Sequence, residues 1–143
     1  MRFLRTARWN ARTNSLRKGV QRPMNERKAV RYRGRRLPNG CVIERKDESI
    51  PGRGSWSKLS PLKSLRLRNH SPDGFEWGYG GSGPAQAALA LLLDHTRNRG
   101  VALTLYQDFK FKVVAGLPDE WELTGDQISE VIAFIRAEKM QRR

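Results

Sequence analysis

The sequence predicts an α+β fold in which a small antiparallel sheet, of about four short strands, is followed by three helices packed on it. Residues 30–79 contain short segments of alternating polarity separated by Gly, Pro, Asn and Ser. Residues 85–139 instead contain longer segments in which apolar residues recur with helical spacing. The chain has 143 residues, 38% of them hydrophobic, which suits a single domain with one modest core.

The first two strands are predicted to form a hairpin. Val30 and Tyr32 begin a strand, and the sequence Leu-Pro-Asn-Gly at residues 37–40 has the composition of a tight turn. Residues 41–45 then return as the second strand.

Two further strands are predicted before the first helix. In residues 64–69, two leucines alternate with Arg66 and Arg68, which indicates a half-buried strand with a basic outer face. In residues 75–79, three aromatic residues alternate with Glu76 and Gly78. This pattern favours a fourth short strand with its aromatic side chains on one side.

Three helices account for the rest of the domain. Pro84 suits the start of the first, and residues 85–95 are apolar nearly all round, so this helix should be central and buried. Asn98 and Gly100 are expected to end it. The second helix, at residues 101–115, carries a stripe at Ala102, Leu105, Phe109 and Val113. The third begins at a capping box formed by Thr124 and Gln127, and its apolar positions are Ile128, Val131, Ile132 and Ile135.

Positive charge is concentrated in the first half of the chain. The formal net charge is +14, with 20 Lys and Arg against 4 Asp and Glu through His70, but 8 against 10 from Ser71 onward. Such asymmetry indicates a polyanionic partner or a basic arm. We therefore expect a basic, disordered arm at residues 1–29, a compact domain at 30–139 and a basic tail at 140–143.

Several classes of protein are excluded or disfavoured by composition. Cys41 is the only cysteine, so a disulfide framework or a cysteine-based zinc site cannot form within one chain. We also expect no cofactor and no metal site. We expect no membrane association, because no apolar run approaches the length of a membrane helix. The N-terminus lacks the continuous apolar stretch of a secretory signal.

A glycine-rich loop precedes the first helix. Residues 78–83 match the spacing G-x-G-x-x-G, but the following helix leads to another helix rather than to a second parallel strand, which argues against a dinucleotide-binding fold. Two interpretations remain. The glycines provide a tight corner with positive φ angles, or the loop binds an anion through Gly80, Gly81, Ser82 and Gly83. Catalysis by this loop is the weakest alternative, and we assign no catalytic residue.

Three segments, at residues 32–40, 64–95 and 105–128, resemble a family of small uncharacterised proteins of bacteria, archaea and phages. The most specific part is Phe-Glu-Trp-Gly-Tyr-Gly-Gly-Ser-Gly-Pro-Ala-Gln, at residues 75–86. The resemblance covers about residues 30–135. It implies a domain of unknown function found on phages, plasmids and integrated elements. It also implies a location in the cytoplasm of a prokaryotic cell or of the host cell of a virus, and it implies no activity or catalytic residue.

These observations favour a non-enzymatic, nucleic-acid-associated accessory protein. The expected contact surface is a cationic sheet face that binds phosphates without sequence specificity. Its candidate residues are Arg31, Arg33, Arg35, Arg36, Arg66 and Arg68. One alternative is a protein-interaction module, such as an inhibitor of a host defence complex. A weaker alternative is a nucleotide-binding protein that uses the glycine-rich loop.

Overall fold

The computed structural model of the protein describes residues 29–49 and 54–142. The predicted basic arm, apart from Ala29, lies outside the described residues, as does Arg143 of the predicted tail.

The sheet is antiparallel and has four strands in the order β3-β2-β1-β4. Strands β1 (Val30–Leu37) and β2 (Gly40–Asp47) form the predicted hairpin, with Val30 opposite Asp47 and Leu37 opposite Gly40. The short strand β3 (Ser57–Lys58) pairs with β2, and β4 (Trp121–Thr124) pairs with the other edge of β1. The predicted α+β class with a small antiparallel sheet is confirmed.

Two of the strand predictions are wrong. Residues 64–69, including Arg66, belong largely to a short helix, α1 (Leu62–Leu67). A segment of six residues is too short for the apolar pattern to separate a strand from a helix turn. Residues 75–79 form an irregular segment, in which Phe75 and Trp77 are buried but Tyr79 is half exposed.

The actual fourth strand was missed because it lies between the last two helices. In β4, Trp121 and Leu123 are buried while Glu122 is exposed, which is the alternation expected of a half-buried strand. This strand occupies the edge of β1 opposite β2. The sheet therefore does not come entirely before the helices along the chain.

The long helices are α2 (Ser82–Thr96), α3 (Arg99–Lys112) and α4 (Gly125–Gln141). Helix α2 is buried along most of its length, as predicted, and the stripe on α3 is buried as well. The capping box of α4 is present, because Thr124 accepts from the Gln127 amide and the Gln127 side chain accepts from the Thr124 amide. Asn98 does not end α2. It caps the start of α3 instead, by accepting a hydrogen bond from Val101 N.

The two faces of the sheet differ in what they carry. Tyr32, Ile43 and Leu123 point into the hydrophobic core together with α2 and α4. Arg31, Arg33 and Arg35 alternate with the core residues along β1 and occupy the opposite face. We call this second face, with Glu44 and Glu122 of the neighbouring strands, the outer sheet face.

Candidate functional site

The cations of the outer sheet face are paired with carboxylates. Arg33 Nε lies 2.8 Å and Arg35 Nε 3.0 Å from Glu44 Oε1, and Arg31 Nε lies 2.9 Å from Glu48 Oε1. Arg31 also reaches Glu122 across the β1–β4 pair, at 3.3 Å. A phosphate at this face would therefore compete with carboxylates that the strand register already places opposite the arginines.

Glu44 is the centre of this arrangement. Its side chain is 12% exposed and receives hydrogen bonds from two guanidinium groups. Burial acts to raise the pKa of Glu44, but the hydrogen bonds from Arg33 and Arg35 outweigh it, so the pKa lies below its ordinary value. The Arg33 guanidinium also lies 4.1 Å from the centre of the Trp56 ring, a cation–π contact that restricts it further.

Arg36 serves as a cross-link between distant parts of the chain. Its guanidinium donates to Glu76 at 2.8 Å, to Asp119 at 3.0 Å and to the carbonyl oxygen of Trp77 at 3.0 Å. The hydrogen bond from Arg36 lowers the pKa of Glu76. These contacts tie the end of β1 to the segments before α2 and β4, which is a structural role.

The structure does not bring the six predicted arginines into one surface. Arg66 and Arg68 lie on or directly after α1 rather than on the sheet, and Arg68 donates to the carbonyl oxygen of its neighbour Leu67. Arg66 faces a groove that the sequence analysis did not predict.

This groove has a volume of about 750 Å³ and lies between α1, the C-terminal half of α2, and residues of β2 and the segment after β3. Five of its lining residues are cationic, and we call it the cationic groove: Arg45, Lys63, Arg66, Arg97 and Arg99. Its remaining walls are small or apolar: Leu59, Ser60, Ser64, Leu67, Ala90 and Leu93, together with one acid, Asp94.

Four of the five groove cations form no ion pair within the described residues. In residues 29–49 and 54–142, no carboxylate lies within 4 Å of Lys63, Arg66, Arg97 or Arg99, although Arg97 acts electrostatically on Asp47 from farther away, and all four residues are exposed. An arginine or lysine gathered with like charges at the mouth of a groove attracts anions from solution, because the field of the cluster is focused there.

The fifth cation, Arg45, is held at the floor. Asp94 Oδ2 accepts a hydrogen bond of 2.9 Å from Arg45 Nε and one of 2.7 Å from the Tyr32 hydroxyl. Burial, reinforced by Asp94, raises the pKa of Tyr32, so the hydroxyl remains a donor. Burial disfavours the charge of Arg45, but Asp94 more than offsets this and the pKa of Arg45 is raised.

Two of the groove cations occupy positions that do not favour folding. Arg97 caps α2 in the left-handed region, with φ 53° and ψ 32°, and it is the only non-glycine residue with positive φ in the described parts of the chain. Helix ends of this kind usually carry Gly or Asn. Arg99 is the first residue of α3, where the helix dipole disfavours a cation, and the first turn of that helix contains no acid. Residues that violate local preferences are typical of functional sites.

Buried hydrogen bonds hold the α1 wall of the groove. The Gln86 side chain, buried on α2, donates to Ser64 Oγ at 2.9 Å and accepts from the backbone amides of His70 and Ser71. Ser64 Oγ in turn donates to the carbonyl oxygen of Pro61. Since these groups are removed from water, losing one partner would leave the other unsatisfied, and α1 is fixed against α2.

The glycine-rich loop is at the other end of α2 and does not line the groove. Within it only Gly78 has a positive φ, of 89°, whereas Gly81 has a φ of −110°. At Gly83 the requirement is space, because a Cβ atom there would lie 2.4 Å from Glu76 Cβ. Binding of an anion by Gly80, Gly81, Ser82 and Gly83 stays a prediction.

Sequence reasoning found one groove cation, Arg66, and missed the rest. The signal that could have found Arg97 and Arg99 is the sequence Arg-Asn-Arg directly after an apolar helix, where Asn is a strong helix cap and the second Arg falls on an unfavourable first turn. Arg45 and Asp94 meet only through the tertiary fold, 49 positions apart in the chain.

Two further properties follow from the described residues. In residues 29–49 and 54–142, no cluster of three or more His, Cys, Asp or Glu side chains is arranged to hold a metal ion. No helix in the same parts of the chain is long and apolar enough to cross a membrane.

Comparison with known proteins gives a family but no activity. Neither a curated protein nor a solved structure is significantly similar to the chain. A family model described as a family of unknown function, DUF6166, matches residues 32–134, which include the cationic groove and all of the outer sheet face except Arg31. Because the match extends over well more than half of its 143 residues, the chain belongs to this family.

Proposed function

We propose that this protein binds nucleic acid through the phosphate backbone, and that the cationic groove is its contact surface. The observation that carries the proposal is a cluster of four exposed cations that have no carboxylate within 4 Å in the described part of the chain: Lys63, Arg66, Arg97 and Arg99. Phosphate oxygens are strong acceptors for such charged groups, and arginine can engage them with two parallel hydrogen bonds.

The contrast with the outer sheet face supports this choice of surface. Both regions are rich in arginine. The arginines of the outer sheet face are paired with Glu44, Glu48 and Glu122, whereas four of the five groove cations have no carboxylate within 4 Å among the described residues. Backbone contacts of this kind position a protein on nucleic acid without reading its sequence. The proposed role is therefore that of a non-enzymatic, sequence-independent accessory protein.

The biological setting is part of the same proposal. The resemblance of residues 75–86 to proteins of phages, plasmids and integrated elements supports a role with the nucleic acid of such an element, in the cytoplasm of its host cell. The basic residues before Ala29 would add affinity that does not depend on the groove.

A matched pair of charge reversals tests the proposal. Binding of a short labelled oligonucleotide of mixed sequence, single-stranded and duplex, is measured by fluorescence anisotropy for the full chain. Arg66→Glu should weaken binding to the preferred form by about tenfold or more, because a contact is lost and a repulsion is added. Arg136→Glu, on the exposed surface of α4 and outside the groove, makes the same charge change and should have little effect. Equal losses in the two variants would contradict the proposal.

A second candidate function, protein binding, is favoured by two aromatic side chains beside the glycine-rich loop. Tyr79 and Phe111 are 52% and 50% exposed, and their rings flank Gly81 and Gly80. Exposed aromatic residues are enriched in protein interfaces. If this is the main function, Tyr79→Ser/Phe111→Ser should lose a host protein partner that Arg66→Glu retains.

A further inference from the structure

We infer that the cationic groove accepts a single strand of nucleic acid in preference to a duplex, with phosphates at the rim and bases directed towards the floor. This inference rests on the proposed function and specifies the form of its partner. It follows from the way in which charge and apolar surface are layered in the groove.

The rim is cationic on two sides. Lys63 and Arg66 come from α1, while Arg97 and Arg99 come from the junction between α2 and α3, and all four side chains are exposed. A backbone lying between the two sets can be contacted from both. The hydrogen bond from Gln86 to Ser64 attaches α1, and with it Lys63 and Arg66, to α2.

The floor has a different chemistry. Leu59, Leu67 and Leu93 are only partly buried against the core, so they leave apolar surface at the bottom of the groove. Sugars and the faces of bases can cover such surface, but phosphates cannot do so without losing their hydration. Burial of that apolar surface by a ligand would contribute to its affinity.

The acid at the floor reinforces this orientation. Asp94 is 23% exposed and uses Oδ2 for both Tyr32 and Arg45, and among the described residues no group donates to its Oδ1. A carboxylate oxygen repels phosphate, whereas it accepts hydrogen bonds from the amino groups of bases. The groove is therefore suited to phosphates at its rim and to the edges or faces of nucleobases at its floor.

This orientation distinguishes the two forms of nucleic acid. In a duplex the bases are stacked and paired inside, and the phosphates form the outer surface, so a duplex would contact the rim cations alone. In a single strand the bases can be splayed away from the backbone and inserted. Only the single strand can use the rim and the floor together.

The test compares probes on the unaltered, full-length protein. Anisotropy is measured with a labelled oligonucleotide that cannot pair with itself, alone and annealed to its complement, as DNA and as RNA, at one salt concentration. We expect the single strand to bind about tenfold or more tightly than the duplex, in DNA, RNA or both. The DNA and RNA arms identify which single strand is preferred.

Leu93→Gln provides a second measurement, since it removes apolar surface from the partly buried floor while adding no charge that could pair with the rim cations. It should lower single-strand affinity about tenfold and leave duplex affinity nearly unchanged. If it fails to fold, the comparison of probes on the unaltered protein decides. Duplex binding as tight as single-strand binding would overturn this inference and leave the proposed function standing. Absence of binding by every probe would overturn both.

Discussion

The outer sheet face and the cationic groove are built from the same residue types, yet they differ in what their cations contact. On the outer sheet face, Glu44 lies between Arg33 and Arg35, at 2.8 and 3.0 Å, and the ladder between β1 and β2 sets these distances. In the groove, Arg66 and Arg97 have no carboxylate within 4 Å among the described residues. The difference is the basis of our proposal that the groove, whose cations are not already paired, is the surface that binds anions.

Arginine density in a sequence is therefore an incomplete guide to function. A strand with arginines at alternate positions predicts a basic face, but a single acid on the next strand can offset two of them. Conversely, the sequence gives little indication of the cations at the junction between α2 and α3. Arg97 has a left-handed backbone conformation, and Arg99 lies at the positive end of a helix dipole, and both features are unfavourable for folding.

The largest expected effect is on stability, at the contact between Glu76, which is hydrogen-bonded to Arg36, and the glycine-rich loop. Gly83→Ala would place a methyl group 2.4 Å from Glu76 Cβ. We expect it to lower the free energy of unfolding by about 2 kcal/mol, measured by denaturant titration. Gly81→Ala is the matched control, because its new methyl group meets the ring of the half-exposed Tyr79, which can move away. A harmless Gly83→Ala would remove the structural explanation of the loop.

Removing the acid of the outer sheet face should reduce stability without reducing binding. Glu44→Gln keeps the shape of the side chain but leaves Arg33 and Arg35 without their shared counter-charge. We expect a loss of about 1 kcal/mol in the free energy of unfolding. Affinity for nucleic acid should stay constant or rise slightly, since two cations become available. A clear loss of affinity would mean that the outer sheet face takes part in binding as it stands.

The same acid should influence the response to low pH. The pKa of Glu44 is lowered on folding, so the unfolded chain binds its proton more readily than the folded chain does. Its contribution is therefore fully present above the ordinary glutamate pKa of about 4.3, and it is lost as the pH falls through the lower pKa of the folded state. Stability of the unaltered protein should decrease more steeply below pH 4.3 than that of Glu44→Gln. Parallel curves would show that Glu44 is not stabilised as an anion.

The smallest expected effect on stability comes from the groove and has the opposite sign. Arg97→Gly relieves the left-handed conformation, and the gain, reduced by the loss of a cation at the end of α2, should be about 0.5 kcal/mol. Arg97→Ala removes the same charge but keeps the strained backbone. Both variants should bind nucleic acid more weakly, while only the glycine variant becomes more stable. A glycine variant less stable than the unaltered protein would show that Arg97 serves the fold.

The sequence allowed the helical half and the hairpin to be predicted because their signals are local. The buried stripe at Leu105 and Phe109 and the capping box at Thr124 depend on residues within a turn or two of one another. Strand β4 carried an equally local alternation, but four residues beside a strong helix start are easily assigned to a loop. The prediction of a strand at residues 64–69 was wrong because six residues can fit either the helical or the strand period.

The candidate site was harder to predict because pairing is a tertiary property. The sequence alone does not indicate a role for Glu44, because only the strand register places it opposite Arg33. The groove itself requires α1, α2 and β2 to meet, and its floor acid, Asp94, lies in a helix that the sequence marks only as apolar. Arg66 was predicted as a phosphate contact from a strand pattern that is wrong, and its role stays a prediction.

The salt dependence of binding tests the central claim most directly. Each phosphate contact contributes about 0.7 on a single strand, or 0.9 on a duplex, to the slope of log K against log salt concentration. The slope is measured for the full-length protein, for Arg66→Ala in the groove and for Arg31→Ala on the outer sheet face. We predict that the slope becomes shallower by about 0.7 to 0.9 in Arg66→Ala and is unchanged in Arg31→Ala. A slope that changes in Arg31→Ala and not in Arg66→Ala would contradict the assignment of the groove as the binding surface.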